Sequence, residues 1–237
     1  TSGNIEIDRA LYLRLSNVIV RGNTVANGII MSRLISSHFS NVESSYNGNS
    51  AADDGFDIGD FVFKTGFTNC RSNGNLGDGF SQAATSEDLT FLGCSAEGNT
   101  GDGFDIDADR SRLVSCISVG NDANGFLLNT VDGAFLSGCT SIDNAADGIA
   151  FGAASSFNNI RDCVLVDNDA YGIDILGSDN LFDGCIFSGN ASGTINDGGT
   201  RTIYQNYSAG TFTAANGANN NISIGENKYI RISGPTA

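Results

Sequence analysis

Three aspartates are placed where two carboxyl groups could work as a pair. Asp105 and Asp107 alternate along one short β-pattern, and Asp57 holds the same place two repeats earlier. Alternate residues of a strand have Cα atoms about 6.5–7 Å apart, and two strand spacings in a parallel sheet are about 9.6 Å. Glycoside hydrolysis needs two carboxyls close to 5 Å apart for retention or roughly 6.5–9.5 Å apart for inversion. We therefore treat these aspartates as candidate catalytic residues, against the alternative of an acidic solvated surface.

An aromatic insertion follows the first of these aspartates. Asp60, Phe61 and Phe63 lie in a stretch where the neighbouring repeats carry small residues. Exposed aromatic rings can stack on a sugar ring, whereas buried ones would be core residues of a longer turn. The three residues are candidate substrate-binding residues.

Basic residues are scarce in this chain. Its 27 Asp and Glu residues face 12 Lys and Arg residues, which gives a net charge of −15. Arg110 and Arg112 follow the second acid group, where they either hold an acidic substituent of a substrate or pair with Asp107 and Asp109. A nucleic-acid partner is excluded by the acidity. The single histidine, His38, removes most His-dependent chemistry, including a three-His zinc site.

An internal repeat of 22 to 26 residues must position these side chains. Each unit has an Asn, then a Gly followed by Phe or Ile, and most units carry a Cys five residues before the Asn. The asparagines are Asn23, Asn49, Asn75, Asn99, Asn121, Asn144, Asn168 and Asn190. The cysteines are Cys70, Cys94, Cys116, Cys139, Cys163 and Cys185. A unit of this length cannot bury its own apolar face, so neighbouring units must stack.

The repeat predicts an all-β solenoid. Short alternating runs are broken by Gly, Asn and Asp, and no stretch has ten residues of helical periodicity. Stacked units of this kind form parallel sheets in which like residues sit roughly 4.8 Å apart. We predict about eight coils over residues 13–193, with residues 1–12 leading into them and 194–237 as a C-terminal cap. No apolar run approaches the roughly 20 residues that cross a bilayer, and no signal peptide opens the chain, so we expect a soluble mature chain or a fragment of one.

In such a solenoid, a residue type that recurs at the same place in each repeat forms a column along the stack. The cysteine column is predicted to be buried and free, because no Cys-x-x-Cys pair exists and parallel Cβ vectors fit disulfide geometry poorly. The Asn and Gly columns are interpreted as turns. The acidic column consists of Asp54, Asp78, Asp102, Asn124 and Asp147, then Tyr171. Turn hydrogen bonds or a bound Ca²⁺ would each offset its charge repulsion, and missing calcium motifs favour turns. We expect no metal or other cofactor, with Ca²⁺ left open.

The sequence pattern Gly-Asn-x-x-Asp-Gly-Phe-Asp-Ile occurs at Gly98–Ile106. It resembles the right-handed parallel β-helix repeats of the pectate-lyase-like superfamily. This superfamily includes phage tailspike depolymerases and alginate C5-epimerase modules. The resemblance implies a right-handed β-helix acting on a polysaccharide, most simply a tailspike-like glycoside hydrolase. It also implies a homotrimer of the intact protein, at a virion surface or outside the cell. The lack of a long apolar run predicts no membrane insertion. The alternatives are a uronan epimerase or lyase, and a non-catalytic glycan-binding or structural stalk.

Two members of the superfamily can be compared by residue. The run Gly103-Phe104-Asp105 is similar to the Gly-Phe-Asp-Pro-His-Glu stretch of alginate epimerases, but the Pro, His and Glu are replaced. Pectate-lyase chemistry uses a basic side chain and Ca²⁺ against a polyanion, which this acidic chain would repel. A neutral or weakly charged polysaccharide is the expected substrate.

Overall fold

Short parallel strands wind into a right-handed solenoid with three faces. The computed structural model describes residues 4–205, 212–214, 221–224 and 230–233. Each coil contributes one strand to each of three sheets, so a strand inside the stack pairs with its counterparts in the preceding and following coils. The all-β parallel prediction is confirmed. The part of the chain that the structure describes holds no helix long and apolar enough to cross a membrane.

The first sheet has ten strands in coil order. They are β1 (Ile5–Leu11), β4 (Ile29–Ile35), β7 (Phe56–Ile58), β10 (Phe80–Gln82), β13 (Phe104–Ile106), β16 (Phe126–Leu128), β19 (Ile149–Phe151), β22 (Tyr171–Ile175), β25 (Gly193–Asp197) and β27 (Phe212–Ala214).

The second sheet has eleven strands, and its last pair is antiparallel. They are β2 (Arg14–Ser16), β5 (His38–Ser40), β8 (Gly66–Thr68), β11 (Thr90–Leu92), β14 (Arg112–Val114), β17 (Phe135–Ser137), β20 (Asn159–Arg161), β23 (Leu181–Asp183), β26 (Ile203–Gln205), β28 (Asn221–Ile224) and β29 (Ile230–Ser233).

The third sheet has eight strands. They are β3 (Ile19–Arg21), β6 (Glu43–Ser45), β9 (Arg71–Asn73), β12 (Ser95–Glu97), β15 (Ile117–Val119), β18 (Thr140–Ile142), β21 (Val164–Val166) and β24 (Ile186–Ser188). Strands β1 to β24 make eight three-strand coils, which confirms the predicted number. Strand β1 precedes the predicted range 13–193, and β25 and β26 continue the stacking after it. Much of the predicted cap, 194–237, lies outside the described residues.

The interior is built from columns of like side chains. Phe56, Phe80 and Phe104 stack on consecutive strands of the first sheet, with ring centroids 4.5 and 4.8 Å apart. Phe67 and Phe91 on the second sheet meet them edge-on. Successive residues of a strand face opposite sides, so every buried ring leaves its neighbour in the chain facing outward. The first sheet therefore presents a second column on its outer face.

The cysteine column is buried at the corner between the second and third sheets. All six thiols are free, and each donates to a backbone carbonyl oxygen, as Cys94 does to Phe67 at 3.5 Å. Hydrogen bonding to the Cys139 thiol and burial raise the pKa of the Cys116 thiol. The column thus behaves as a set of small apolar side chains.

The asparagine column is an internal hydrogen-bonded ladder, but one predicted member is wrong. Asn47, not Asn49, completes it: its Oδ1 accepts the Asn23 N–H at 3.1 Å, and its Nδ2 donates to Asn75 Oδ1 at 3.0 Å. Asn49 is exposed, and its N–H donates to Asp53 Oδ2 at 2.8 Å. The extra residues of this coil follow the ladder position, so the spacing counted along the sequence selects the wrong asparagine.

Candidate functional site

The outer face of the first sheet brings two of the three candidate catalytic aspartates into one column. The strand register pairs Asp57 with Ser81 and Ser81 with Asp105. The same column continues through Leu127, Ala150 and Asp174. Asp57 and Asp105 are therefore two coils apart, with the small Ser81 between them. Asp107 lies two residues after Asp105, just past the end of β13 at Ile106.

A second acidic column borders the first, three residues earlier in each coil. Each member's side-chain oxygen accepts the backbone N–H of the next coil's member: Asp54 Oδ1 accepts from Asp78 at 2.7 Å, and Asp78 Oδ1 from Asp102 at 2.6 Å. Its members are Asn27, Asp54, Asp78, Asp102, Asn124 and Asp147. The predicted turn hydrogen bonds exist, but they run between coils rather than within one turn.

The two columns form one surface, which we call the carboxylate face. Its acids are Asp54, Asp57, Asp78, Asp102, Asp105 and Asp107. Burial, with the charges of neighbouring acids led by Asp107, raises the pKa of Asp105 to about 8. Burial likewise raises the pKa of Asp54 to about 7 and that of Asp78 to about 6. These carboxyls are half to mostly covered, and the low dielectric disfavours their ionised form.

The three candidate catalytic aspartates have different hydrogen-bond partners. Asp105 Oδ1 is buried and has no partner among the described residues. Asp57 Oδ2 accepts from Asn27 Nδ2 at 2.7 Å, and burial raises the pKa of Asp57. Asp107 Oδ1 accepts the N–H and the hydroxyl of Thr130, both at 3.2 Å. Of the three, only Asp105 therefore has a covered oxygen whose hydrogen-bonding capacity no described residue uses.

The aromatic insertion lies on the turn from the first to the second sheet, directly after the strand of Asp57. Phe61 is 51% exposed and has a left-handed backbone, with φ of 61°. Asp60 Oδ1 accepts the Thr85 hydroxyl at 2.6 Å. Phe63 is half-buried and bridges the backbones of neighbouring coils. Phe61 is thus the aromatic ring that the insertion exposes most, beside the column that holds Asp57.

The two candidate arginines lie away from the carboxylate face. Arg110 Nε donates to Asp88 Oδ1 at 2.7 Å, and its Nη2 pairs with Glu87. The partners are thus the acids of the preceding coil rather than Asp107 or Asp109. Arg112 starts a strand of the second sheet, where its guanidinium carbon lies 4.6 Å from the centroid of the Phe135 ring. The fold does not bring these arginines to Asp105.

The sequence reasoning assigned Asp54, Asp78 and Asp102 to structural turns and missed their place on this face. The available signal was their fixed distance of three residues before the outward column, across a Gly and a core Phe. A turn residue so close to an outward strand residue borders the same surface. In the described part of the chain, no group of three or more His, Cys, Asp or Glu side chains is arranged to hold a metal ion.

Comparison with solved structures shows the same fold in polysaccharide-modifying and viral proteins. A periplasmic alginate epimerase superposes with a TM-score of 0.66 at 15% identity, over 85% of this chain and 55% of its own. The mannuronan C-5 epimerase module of Azotobacter vinelandii gives 0.65 at 14% identity, over 98% and 78%. An open-reading-frame product of a Geobacillus virus gives 0.56 at 13%, over 92% and 43%. The chain thus spans about half the length of the periplasmic epimerase.

Sequence comparison identifies the family. A search of curated protein sequences gave no significant match. The family described as "Right handed beta helix region" matches residues 65–227, which is more than half of the chain. The matched range covers most of the coils described above, including Asp105 and its neighbours. The chain therefore belongs to the right-handed β-helix family.

Proposed function

We propose that the carboxylate face cleaves glycosidic bonds of a neutral or weakly charged polysaccharide, with Asp105 as the general acid. One observation carries the proposal: Asp105 Oδ1 is buried without a hydrogen-bond partner, on the outer face of a sheet. Burial raises the pKa of this carboxyl to about 8. A carboxyl that is protonated at neutral pH and faces outward can donate its proton to a leaving oxygen.

The base is assigned to Asp107, which directly follows the strand β13 that carries Asp105. Two residues of extended chain separate Cα atoms by about 6.5–7 Å, which allows the two carboxyl groups the roughly 6.5–9.5 Å separation of inverting enzymes. Asp107 takes a proton from water, the water oxygen bonds to the anomeric carbon, and the bond to the leaving oxygen breaks as Asp105 protonates it. Asp57, two coils away, is the second candidate for the base.

Substrate binding is assigned to the residues around Asp57. Phe61, 51% exposed, offers a ring on which a sugar can stack, and Asp60 offers a carboxylate to a sugar hydroxyl. The six acids of the face favour a substrate without many negative charges, because like charges repel at short range. A target outside the cell agrees with the periplasmic and viral settings named for two structural neighbours.

The test is release of reducing ends from a panel of bacterial surface polysaccharides, with alginate included. On the polysaccharide that the chain cleaves, Asp105→Asn should lower the rate by about 10²–10⁴-fold while glycan binding and the melting temperature stay near wild type. Asp174→Asn is the matched control, because Asp174 occupies the same outward column three coils further on. It should keep the wild-type rate.

Parallel variants separate the roles and the alternatives. Asp107→Asn should lower the rate as much as Asp105→Asn, and a larger loss in Asp57→Asn would move the base to Asp57. Unsaturated product ends would indicate a lyase, and altered sugar configuration without cleavage an epimerase. Full activity in the Asp105→Asn variant would contradict the proposal, and binding without any cleavage would support a glycan-binding or structural solenoid.

A further inference from the structure

A concave groove lies at the corner between the second and third sheets. It has a volume of about 560 Å³, and residues of the first four coils line it. None of the acids of the carboxylate face contributes to its lining. We call it the corner groove. It is therefore a separate surface from the face that carries Asp105.

Three asparagine side chains run along the corner groove. Asn17, Asn41 and Asn69 each hold the left-handed corner position of their coil, with φ of 56°, 52° and 52°, a conformation that Asn tolerates better than most residues. All three are exposed, and Asn41 Nδ2 donates to Asn17 Oδ1 at 3.3 Å. In the fourth coil Gly93 takes this position, where a Cβ would lie 2.9 Å from Asn69 Oδ1. The groove thus has a line of amides with spare donors and acceptors.

One arginine in the groove, Arg71, has no hydrogen-bond or ion-pair partner among the described residues, although its charge helps to lower the pKa of the neighbouring Glu43. Glu43 and Arg71 are neighbours on consecutive strands of the third sheet. Glu43 is already engaged, because it accepts from Arg21 Nε at 3.0 Å and from the Ser45 hydroxyl at 2.9 Å. Arg71 forms no hydrogen bond or ion pair within the described ranges. In a chain with a net charge of −15, an unpaired guanidinium in a groove is a local site for an anion.

We propose that the corner groove binds a short glycan segment with one carboxylate among neutral sugars, and that Arg71 is the carboxylate anchor. A guanidinium matches a carboxylate through two parallel hydrogen bonds. The line of amides suits sugar hydroxyls, and Ile19, 63% exposed, offers an apolar contact to a ring face. One cation matches one carboxylate, and a densely charged polyanion would be repelled by the rest of the chain.

A peptide fits this groove less well. Binding as an added β-strand needs a free strand edge. Among the described strands beside the groove, only β2 and β3 of the first coil have one, at the end of the stack, whereas the strands of the next coils pair on both sides along the groove. The inference also does not depend on cleavage at the carboxylate face. The Asp105→Asn variant should bind at the corner groove like wild type, so the two proposals fail separately.

The experiment compares a glucuronosyl-glucose disaccharide, cellobiouronic acid, with its neutral counterpart cellobiose, by ¹⁵N NMR on the full chain. The acid should bind at least about ten-fold more tightly and shift the side-chain amide signals of Asn17, Asn41 and Asn69. Arg71→Gln should remove the preference for the acid. Arg161→Gln is the control, because this exposed arginine bonds its own strand neighbour, Asn159, outside the groove; it should keep the preference.

Several results would overturn the inference. Equal affinities for the two disaccharides, or absence of any amide shift with the acid, would show that the groove does not select a carboxylated glycan. A preserved preference in Arg71→Gln would place the anchor elsewhere. Tighter binding of the tripeptide Gly-Glu-Gly than of cellobiouronic acid would show that the groove prefers acidic peptides.

Discussion

Phe61 has a backbone conformation that large side chains rarely adopt. Its φ of 61° lies in the left-handed region, which costs an L-residue roughly 1–2 kcal/mol. Such strain persists only where surrounding structure imposes it, and it clusters at functional sites. Phe157 shares these features, with φ of 59° and 67% exposure, but it lies coils away from Asp57 on another corner position. Comparison of variants at Phe61 and Phe157 therefore separates the effect of backbone strain on stability from the effect of ring contact on glycan binding.

Replacement of Phe61 by Gly should stabilise the fold and weaken glycan binding. Removal of left-handed strain, reduced by the extra chain entropy of Gly, should raise the free energy of unfolding by about 0.5–1 kcal/mol. Phe157→Gly should stabilise the protein similarly and leave glycan affinity unchanged. Denaturant unfolding and binding to the cleaved polysaccharide measure both effects. Equal affinity in Phe61→Gly and wild type would exclude Phe61 from the site.

The strands and corners of this fold carry columns of like side chains. Because the same side-chain type repeats in consecutive coils, the surroundings of each side chain are set by the residues at the same position in the coils before and after it. The cysteine corner is the clearest case, because Cys70, Cys94 and Cys116 are all fully buried. No thiol of this column reaches solvent, and a charge placed in it would have no partner.

The cysteine column should resist labelling until the chain unfolds. A water-soluble thiol reagent should modify none of the six cysteines of the native protein and all six after denaturation without reductant. Cys94→Asp should lower the free energy of unfolding by several kcal/mol, because it buries a charge that lacks a partner. The control Cys94→Ala should lower it less. Rapid native labelling would contradict the buried column.

Sequence reasoning succeeded where a residue type repeats, and failed where a coil changes length or a partner lies one coil away. The cysteine spacing located a buried column because each Cys has the same place in its coil. Asn49 was chosen over Asn47 because the extra residues of that coil stand after the ladder position. The partners of Arg110 were assigned within its own coil, whereas the stack offered Glu87 and Asp88. Contacts between coils depend on the register, which the spacing alone leaves open.

At the scale of the whole solenoid, carboxyl groups with raised pKa values lie together on one face. Burial raises the pKa of Asp54, Asp78 and Asp105 to about 7, 6 and 8, above the value near 4 of an unfolded chain. These groups hold protons more tightly when folded, so their contribution to stability is fully present below about pH 4 and is lost as pH rises through 6 to 8. Arginine partners lower the pKa of Asp8 and of Asp179. The stability that these two carboxylates contribute is therefore lost only at more acidic pH.

The melting temperature should therefore fall as pH rises from 5 to 8. Calorimetry at constant ionic strength measures the trend, and high salt should weaken the part that comes from exposed charges. A variant with both Asp54→Asn and Asp105→Asn should show a flatter decline, because two of the carboxyls that lose protons in this window are absent. A melting temperature that rises steadily from pH 5 to 8 would mean that these carboxyls are ionised when folded.

The central claim is that Asp105 stays protonated at neutral pH on the outer face of the first sheet, and its titration tests this most directly. Carboxyl ¹³C NMR of aspartate-labelled protein, with the signal assigned through Asp105→Asn, follows this one group. The account predicts a midpoint close to the pKa of about 8 that burial gives Asp105. A midpoint near 4, the value of an exposed aspartate, would contradict it and would leave this face without its general acid.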